Sequence, residues 1–153
     1  MTTLLAFESA SEFPEHRESL TLASDDLAPG AARFFARQRL ADWDLEDLAD
    51  RALLIVSELA TNARRHGRTQ PEKEVELITL TLTLQDGVVG IELEDNSSVP
   101  PVAPVGAEGA EGDLDGRGLL LVEAEADAWT ARLHEDGSGK RVLAFLQRRV
   151  PAP

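Results

Sequence analysis

The sequence predicts an α+β chain in which a mixed sheet carries helices on one face. Three observations lead there. Apolar residues recur at helical spacing between Leu45 and His66, alternate at strand spacing between Val75 and Glu94, and return in a strand pair after a late helix. Early helices, then strands, one late helix and a closing hairpin together describe a sheet with its helices gathered on one side.

The elements follow in order. Thr3 to Phe7 and Ser19 to Ala23 alternate briefly and read as strands. Ser24-Asp25-Asp26 ahead of Leu27-Ala28-Pro29 supplies a capping residue, first-turn acids and an early proline, so a helix starts there. It runs to about Leu40 and buries Phe34 or Phe35; Asp42 and Asp44 offer another start. At about 100° per residue, Leu48, Ala52, Ile55, Val56, Leu59, Ala60 and Ala63 share one wide apolar arc. Asp47, Asp50, Arg51 and Arg65 fall outside it, and Gly67 stops the helix in a favoured position.

Val75 to Leu84 sets Thr79, Thr81 and Thr83 between Ile78, Leu80, Leu82 and Leu84, a strand with one polar face. Gln85-Asp86-Gly87 is its hairpin turn and Val88 to Glu94 the partner strand. Ser97 to Asp115, rich in proline, glycine, alanine and acids, reads as a mobile loop. Gly118 to Ala126 reads as a helix, Ala128 to Leu133 as a strand, Asp136 to Gly139 as a turn and Arg141 to Leu146 as the last strand.

Composition excludes several classes of function. The 153 residues fit one domain with room for a core. No apolar run approaches the ~20 residues needed to span a bilayer. The N-terminus lacks the basic start and apolar middle of a signal peptide. These readings give a cytoplasmic protein that does not engage a membrane. The absence of cysteine removes disulfides, thiolate metal sites and cysteine nucleophiles. A net charge of -13 opposes a duplex-binding surface, so no direct nucleic-acid partner is expected. It says little about small phosphorylated ligands.

Three patches carry chemistry. In Ser57-Glu58-Leu59-Ala60-Thr61-Asn62-Ala63-Arg64-Arg65-His66-Gly67, Glu58, Asn62 and His66 stack along one side of the helix. Glu58 and Asn62 lie on the shoulder of the apolar arc. A carboxylate there can position or deprotonate a nucleophile, and an amide oxygen is a hard ligand suited to Mg²⁺. A solvated Glu beside a boundary Asn is the alternative. In Glu92-Leu93-Glu94-Asp95-Asn96-Ser97-Ser98, the acid ending a buried strand can accept from an exocyclic amine such as that of adenine, or simply close the strand in an Asx turn. In Gly116-Arg117-Gly118-Leu119, glycines at a helix start let backbone N–H groups approach phosphate, or merely begin a helix.

The order of the three is more specific than any one of them. Glu-x-x-x-Asn on a helix, a strand ending in Asp, a flexible loop and Gly-x-Gly opening a helix resemble the nucleotide-binding boxes of the Bergerat ATPase superfamily. Within it the chain is similar to the anti-sigma-factor serine kinases and to short actinobacterial histidine-kinase-like ATP-binding regulatory proteins. The matching stretches are SELATNARRHG, DNSSVPP, GRGLLLVEAEADAW and GSGKRVLAFL, spanning roughly Ser19 to Leu146.

This resemblance implies a two-layer α/β sandwich with a mixed, mostly antiparallel sheet. It implies one domain over 1–153, with its core at about 19–147 and an ATP lid at about 97–117. It makes Glu58 the general base or water-positioning acid, Asn62 the Mg²⁺ ligand and Asp95 the acceptor of the adenine amine. Ser97, Gly116, Arg117, Gly118 and Leu119 line the nucleotide, and Arg117 is the candidate for transition-state charge. Lys140 approaches the phosphates or caps the closing hairpin. His66 is given no chemistry. Ser97 stands where many members of the superfamily have glycine, and residues 102–115 match no family motif.

By the same resemblance the ligands are ATP or ADP with Mg²⁺, and the partners a sigma factor and a STAS-type anti-sigma-factor antagonist, with homodimerisation implied by the relatives alone. The implied activity is serine/threonine protein kinase, phosphorylating the antagonist. The alternative is a nucleotide-binding partner-switching module without kinase activity. A domain that has lost nucleotide is a third reading, and the intact set of boxes opposes it.

Overall fold

A computed structural model describes residues 14–66, 76–95, 121–135 and 139–148. Two helices, α1 (Ala28–Asp42) and α2 (Ala49–His66), precede most of a sheet of five strands. The strands are β1 (His16–Ala23), β2 (Leu77–Gln85), β3 (Val88–Asp95), β4 (Ala128–Leu133) and β5 (Lys140–Gln147). Their order is β1-β2-β3-β5-β4, and every described pairing is antiparallel. Residues 121–125 are helical and lead into β4. The expected strand at Thr3 to Phe7 and the expected loop from Ser97 to Asp115 lie outside the described residues.

The apolar arc read from the sequence is what holds α2 to the sheet. Leu48, Ala52, Ile55, Val56, Leu59, Ala60 and Ala63 are all buried, and α2 packs against β3 and β5. They meet Ile78, Leu80, Leu82 and Leu84 of β2 and Val89, Ile91 and Leu93 of β3 in one core. No described helix is long and apolar enough to cross a membrane.

One local expectation is corrected and two are made specific. First, α1 begins at Ala28, with Leu27 as its cap residue and no side-chain cap bond, instead of at Ser24. Asp25 Oδ1 accepts from the Leu27 N–H at 2.9 Å, so the acid shapes the turn before the helix and not its first turn. Second, of the two phenylalanines, Phe35 packs on the core and Phe34 is 67% exposed, because Ala32, Ala36 and Leu40 define the inward side. Third, on the polar face of β2, Thr81 and Thr83 are buried. Thr81 shares a 2.8 Å hydrogen bond with Ser19. Thr83 faces Gly90, and Phe145 lies opposite Gly90 on the other side. With no side chain at Gly90, the Phe145 ring occupies the space beside it, and a Cβ there would stand 3.6 Å from Phe145 Cε1. An aromatic neighbour filling the gap of a strand glycine compensates for its missing packing.

The β2–β3 hairpin turns where the sequence places it. Asp86 and Gly87 have φ of 52° and 78°, both in the left-handed region that a two-residue turn of this kind needs.

Candidate functional site

Glu58 and Asn62 stand one turn apart on α2, half-buried, beside the buried Ile55, Leu59 and Ala63. Ser57, next to Glu58, is tied to α1 by Arg33, whose Nη1 donates to Ser57 Oγ at 3.0 Å. Asn62 Oδ1 is buried and has no hydrogen-bond partner among the described residues. Buried amide oxygens are ordinarily satisfied. An acceptor left open at this position fits a hard cation, and Mg²⁺ characteristically takes few protein oxygens and completes its shell with phosphate and water. No group of three or more His, Cys, Asp and Glu able to hold a metal occurs among the described residues, so Asn62 would act with non-protein ligands. The side chain of His66 lies outside the described residues.

Asp95 is the last residue of β3 and Lys140 the first of β5, and the two are register partners. Alternation along each strand puts them on the helix-covered face with Leu93 and Val142. The Lys140 Nζ lies 3.0 Å from Asp95 Oδ2 and donates to Oδ1 at 3.2 Å. Both side chains are 4% exposed. The strand-end acid is therefore a buried, oriented carboxylate on the same side of the sheet as α2, with a cation straddling both oxygens. Lys140, expected at the phosphates or at the hairpin cap, is tied to Asp95 in this structure.

A further tie was not foreseen. Arg51, placed outside the apolar arc, donates from Nη2 and Nε to the Glu125 carbonyl oxygen at 2.6 and 3.1 Å. It also pairs with Asp127 at 3.5 Å. Asp127 Oδ2 in turn accepts from the Gln147 N–H at 2.7 Å. The first turn of α2 is thus bolted to the end of the helical stretch 121–125, where Val122 is buried in the core. In the sequence Arg51 is only an arginine outside the buried arc; its carbonyl partner is a tertiary fact. Ser97, Gly116, Arg117, Gly118 and Leu119 lie outside the described residues.

This site, on a five-stranded antiparallel sheet backed by helices, defines a class of nucleotide-binding domain. The family model of the histidine kinase-like ATPase domain matches residues 22–145, and the chain belongs to that family. No curated protein matches the sequence. Among solved structures, the chain is similar to the RsbU and RsbW domains of Rv1364c from Mycobacterium tuberculosis. The TM-score is 0.62 at 20% identity, over 88% of this chain and 32% of that chain. That likeness is one of fold, and this chain spans only a part of the length of that protein.

Proposed function

We propose that the chain is an ATP-binding regulatory protein of the cytoplasm, an anti-sigma factor that phosphorylates a serine or threonine of a STAS-type antagonist. The observation that carries this reading is the open, buried Asn62 oxygen one turn from the Glu58 carboxylate, in a chain of the histidine kinase-like ATPase family. Membership of that family supports ATP as the ligand. The fold shared with a protein that contains an RsbW domain, and the resemblance to anti-sigma-factor serine kinases, support the partners.

In this reading Asp95, held by Lys140, receives the adenine amine. Asn62 holds Mg²⁺, whose chemistry when bound is to neutralise phosphate charge. Ser97, Gly116, Gly118 and Leu119 line the nucleotide and Arg117 meets the charge of the transferring group. Glu58 takes the proton of the attacking hydroxyl as its oxygen bonds to the γ-phosphorus and the bond to the β-phosphate oxygen breaks, releasing ADP. Phosphoryl transfer asks mainly for positioning and charge stabilisation, which such a set supplies. The net charge of -13 suits a partner with a basic surface, as sigma factors present to DNA. The unit is a single domain over 1–153, with its core at about 19–147 and a lid at about 97–117; homodimerisation belongs to the same reading.

Calorimetric titration with ATP and Mg²⁺ tests the site, beside Asn62→Ala, which should lose Mg-dependent binding. Labelled-phosphate transfer to an antagonist domain tests the activity. Glu58→Ala should keep ATP binding and lose transfer by about 10²-fold or more. Intact transfer in that variant sinks the assignment of Glu58. Binding without any transfer by the wild type would leave nucleotide-dependent partner switching as the function.

A further inference from the structure

Apart from Asp95 and Lys140, the positions of β3 and β5 that face α2 are apolar: Val89, Ile91 and Leu93 on one strand, Val142, Ala144 and Leu146 on the other. A buried ion pair is poorly explained by stability, because an apolar pair of similar volume serves the fold as well or better. The pair therefore asks for another role. Its geometry supplies one: the ammonium contacts both carboxylate oxygens, at 3.0 and 3.2 Å, and so fixes the plane of the acid and balances its charge.

An ionised carboxylate only accepts hydrogen bonds, whereas a protonated one also donates. Lys140 thus fixes the direction in which the acceptor oxygens of Asp95 are offered. An acceptor matches the exocyclic amine of a 6-amino purine. Against a 6-oxo purine it opposes one lone pair with another.

We propose that Lys140 is a positioning residue that makes this end of the sheet select 6-amino over 6-oxo purine nucleotides, by holding Asp95 in one orientation. The inference rests on the reading above that Asp95 faces the base. Lys140 itself is given no contact with the phosphates.

The test is calorimetric affinity of the full chain for ATP and for inosine triphosphate, which differs by the 6-oxo group, in wild type, Lys140→Met, Lys140→Gln and Lys140→Arg. Wild type should prefer ATP by about tenfold or more, the scale of one hydrogen bond to a charged group. In Lys140→Met the preference should collapse towards unity, and Lys140→Arg should restore most of it. In Lys140→Gln a shorter amide replaces the ammonium that bridges both oxygens, so this variant serves where the Met variant does not fold, and its preference should fall likewise. A merely structural role would weaken both nucleotides equally and leave the ratio unchanged; that result overturns the inference. Wild-type binding of ATP without preference overturns it too, while leaving the nucleotide site standing. Failure of wild type to bind either nucleotide overturns both.

Discussion

The two faces of the β3–β5 pair hold ion pairs in opposite surroundings. On the covered face, Asp95 and Lys140 meet with both side chains 4% exposed. On the opposite face, Arg141 reaches Glu92 at 3.5 Å and Glu94 at 3.7 Å, with its own side chain 50% exposed. Glu94 also holds His134 Nε2 at 2.9 Å. Adjacent residues of one strand, Glu94 and Asp95, therefore do different things because the strand alternates its faces. Outside, charges are shared loosely among several partners and water. Inside, one cation is committed to one carboxylate, and neither can be spared.

That contrast is best broken by removing one charge from each side. Asp95→Ala leaves the Lys140 ammonium buried without its countercharge, and should cost about 3–5 kcal/mol in urea unfolding. A loss below about 1 kcal/mol would mean that the pair is solvated in solution and that the two faces are alike.

The opposite face has its own sensitive point in the middle. A Cβ at Gly90 would stand 2.5 Å from Thr83 Oγ1, so Gly90→Ala forces that buried threonine to move. The expected loss is about 1–3 kcal/mol, the usual scale of overpacking. Adding Thr83→Ala should recover part of it, a coupling that a double-mutant cycle would measure. Simple additivity would show that the clash is relieved elsewhere. The smallest effect belongs to Arg141→Ala. Its pairs are half-exposed and shared, so unfolding should shift by less than about 1 kcal/mol, and less still at high salt.

The parts of the fold set by local periodicity were legible in the sequence. The arc from Ala52 to Ala63 is the buried side of α2 because a helix repeats its faces on a fixed angular period. Asp86-Gly87 turns the hairpin because the turn demands positive φ at both positions. What escaped depends on neighbours distant in the chain. Nothing near Thr81 and Thr83 announces Phe145, and nothing near Arg51 announces the Glu125 carbonyl. Asp95 and Lys140 each stood out alone, one as a strand-end acid and one as a lysine after glycine. Their union follows from the register of two strands that the chain visits far apart, which no local pattern encodes. Phe34 and Phe35 show the same limit in a helix: adjacent residues differ by about 100°, and the three small or apolar residues facing the sheet decide which ring turns in.

Asp95 ends β3 and Lys140 opens β5 directly across the ladder, with β4 between them in the chain. The two ends of that stretch are therefore held together by strand pairing and by charge, whatever the sequence between them. The entropy of closing such a loop rises only with the logarithm of its length, about 0.6 kcal/mol for each doubling. The length of chain between two such ladder partners can accordingly change at little expense to folding. A family built on this arrangement can inherit the same core while the stretches between its strands change, and its members can come to share a shape long after their sequences have parted.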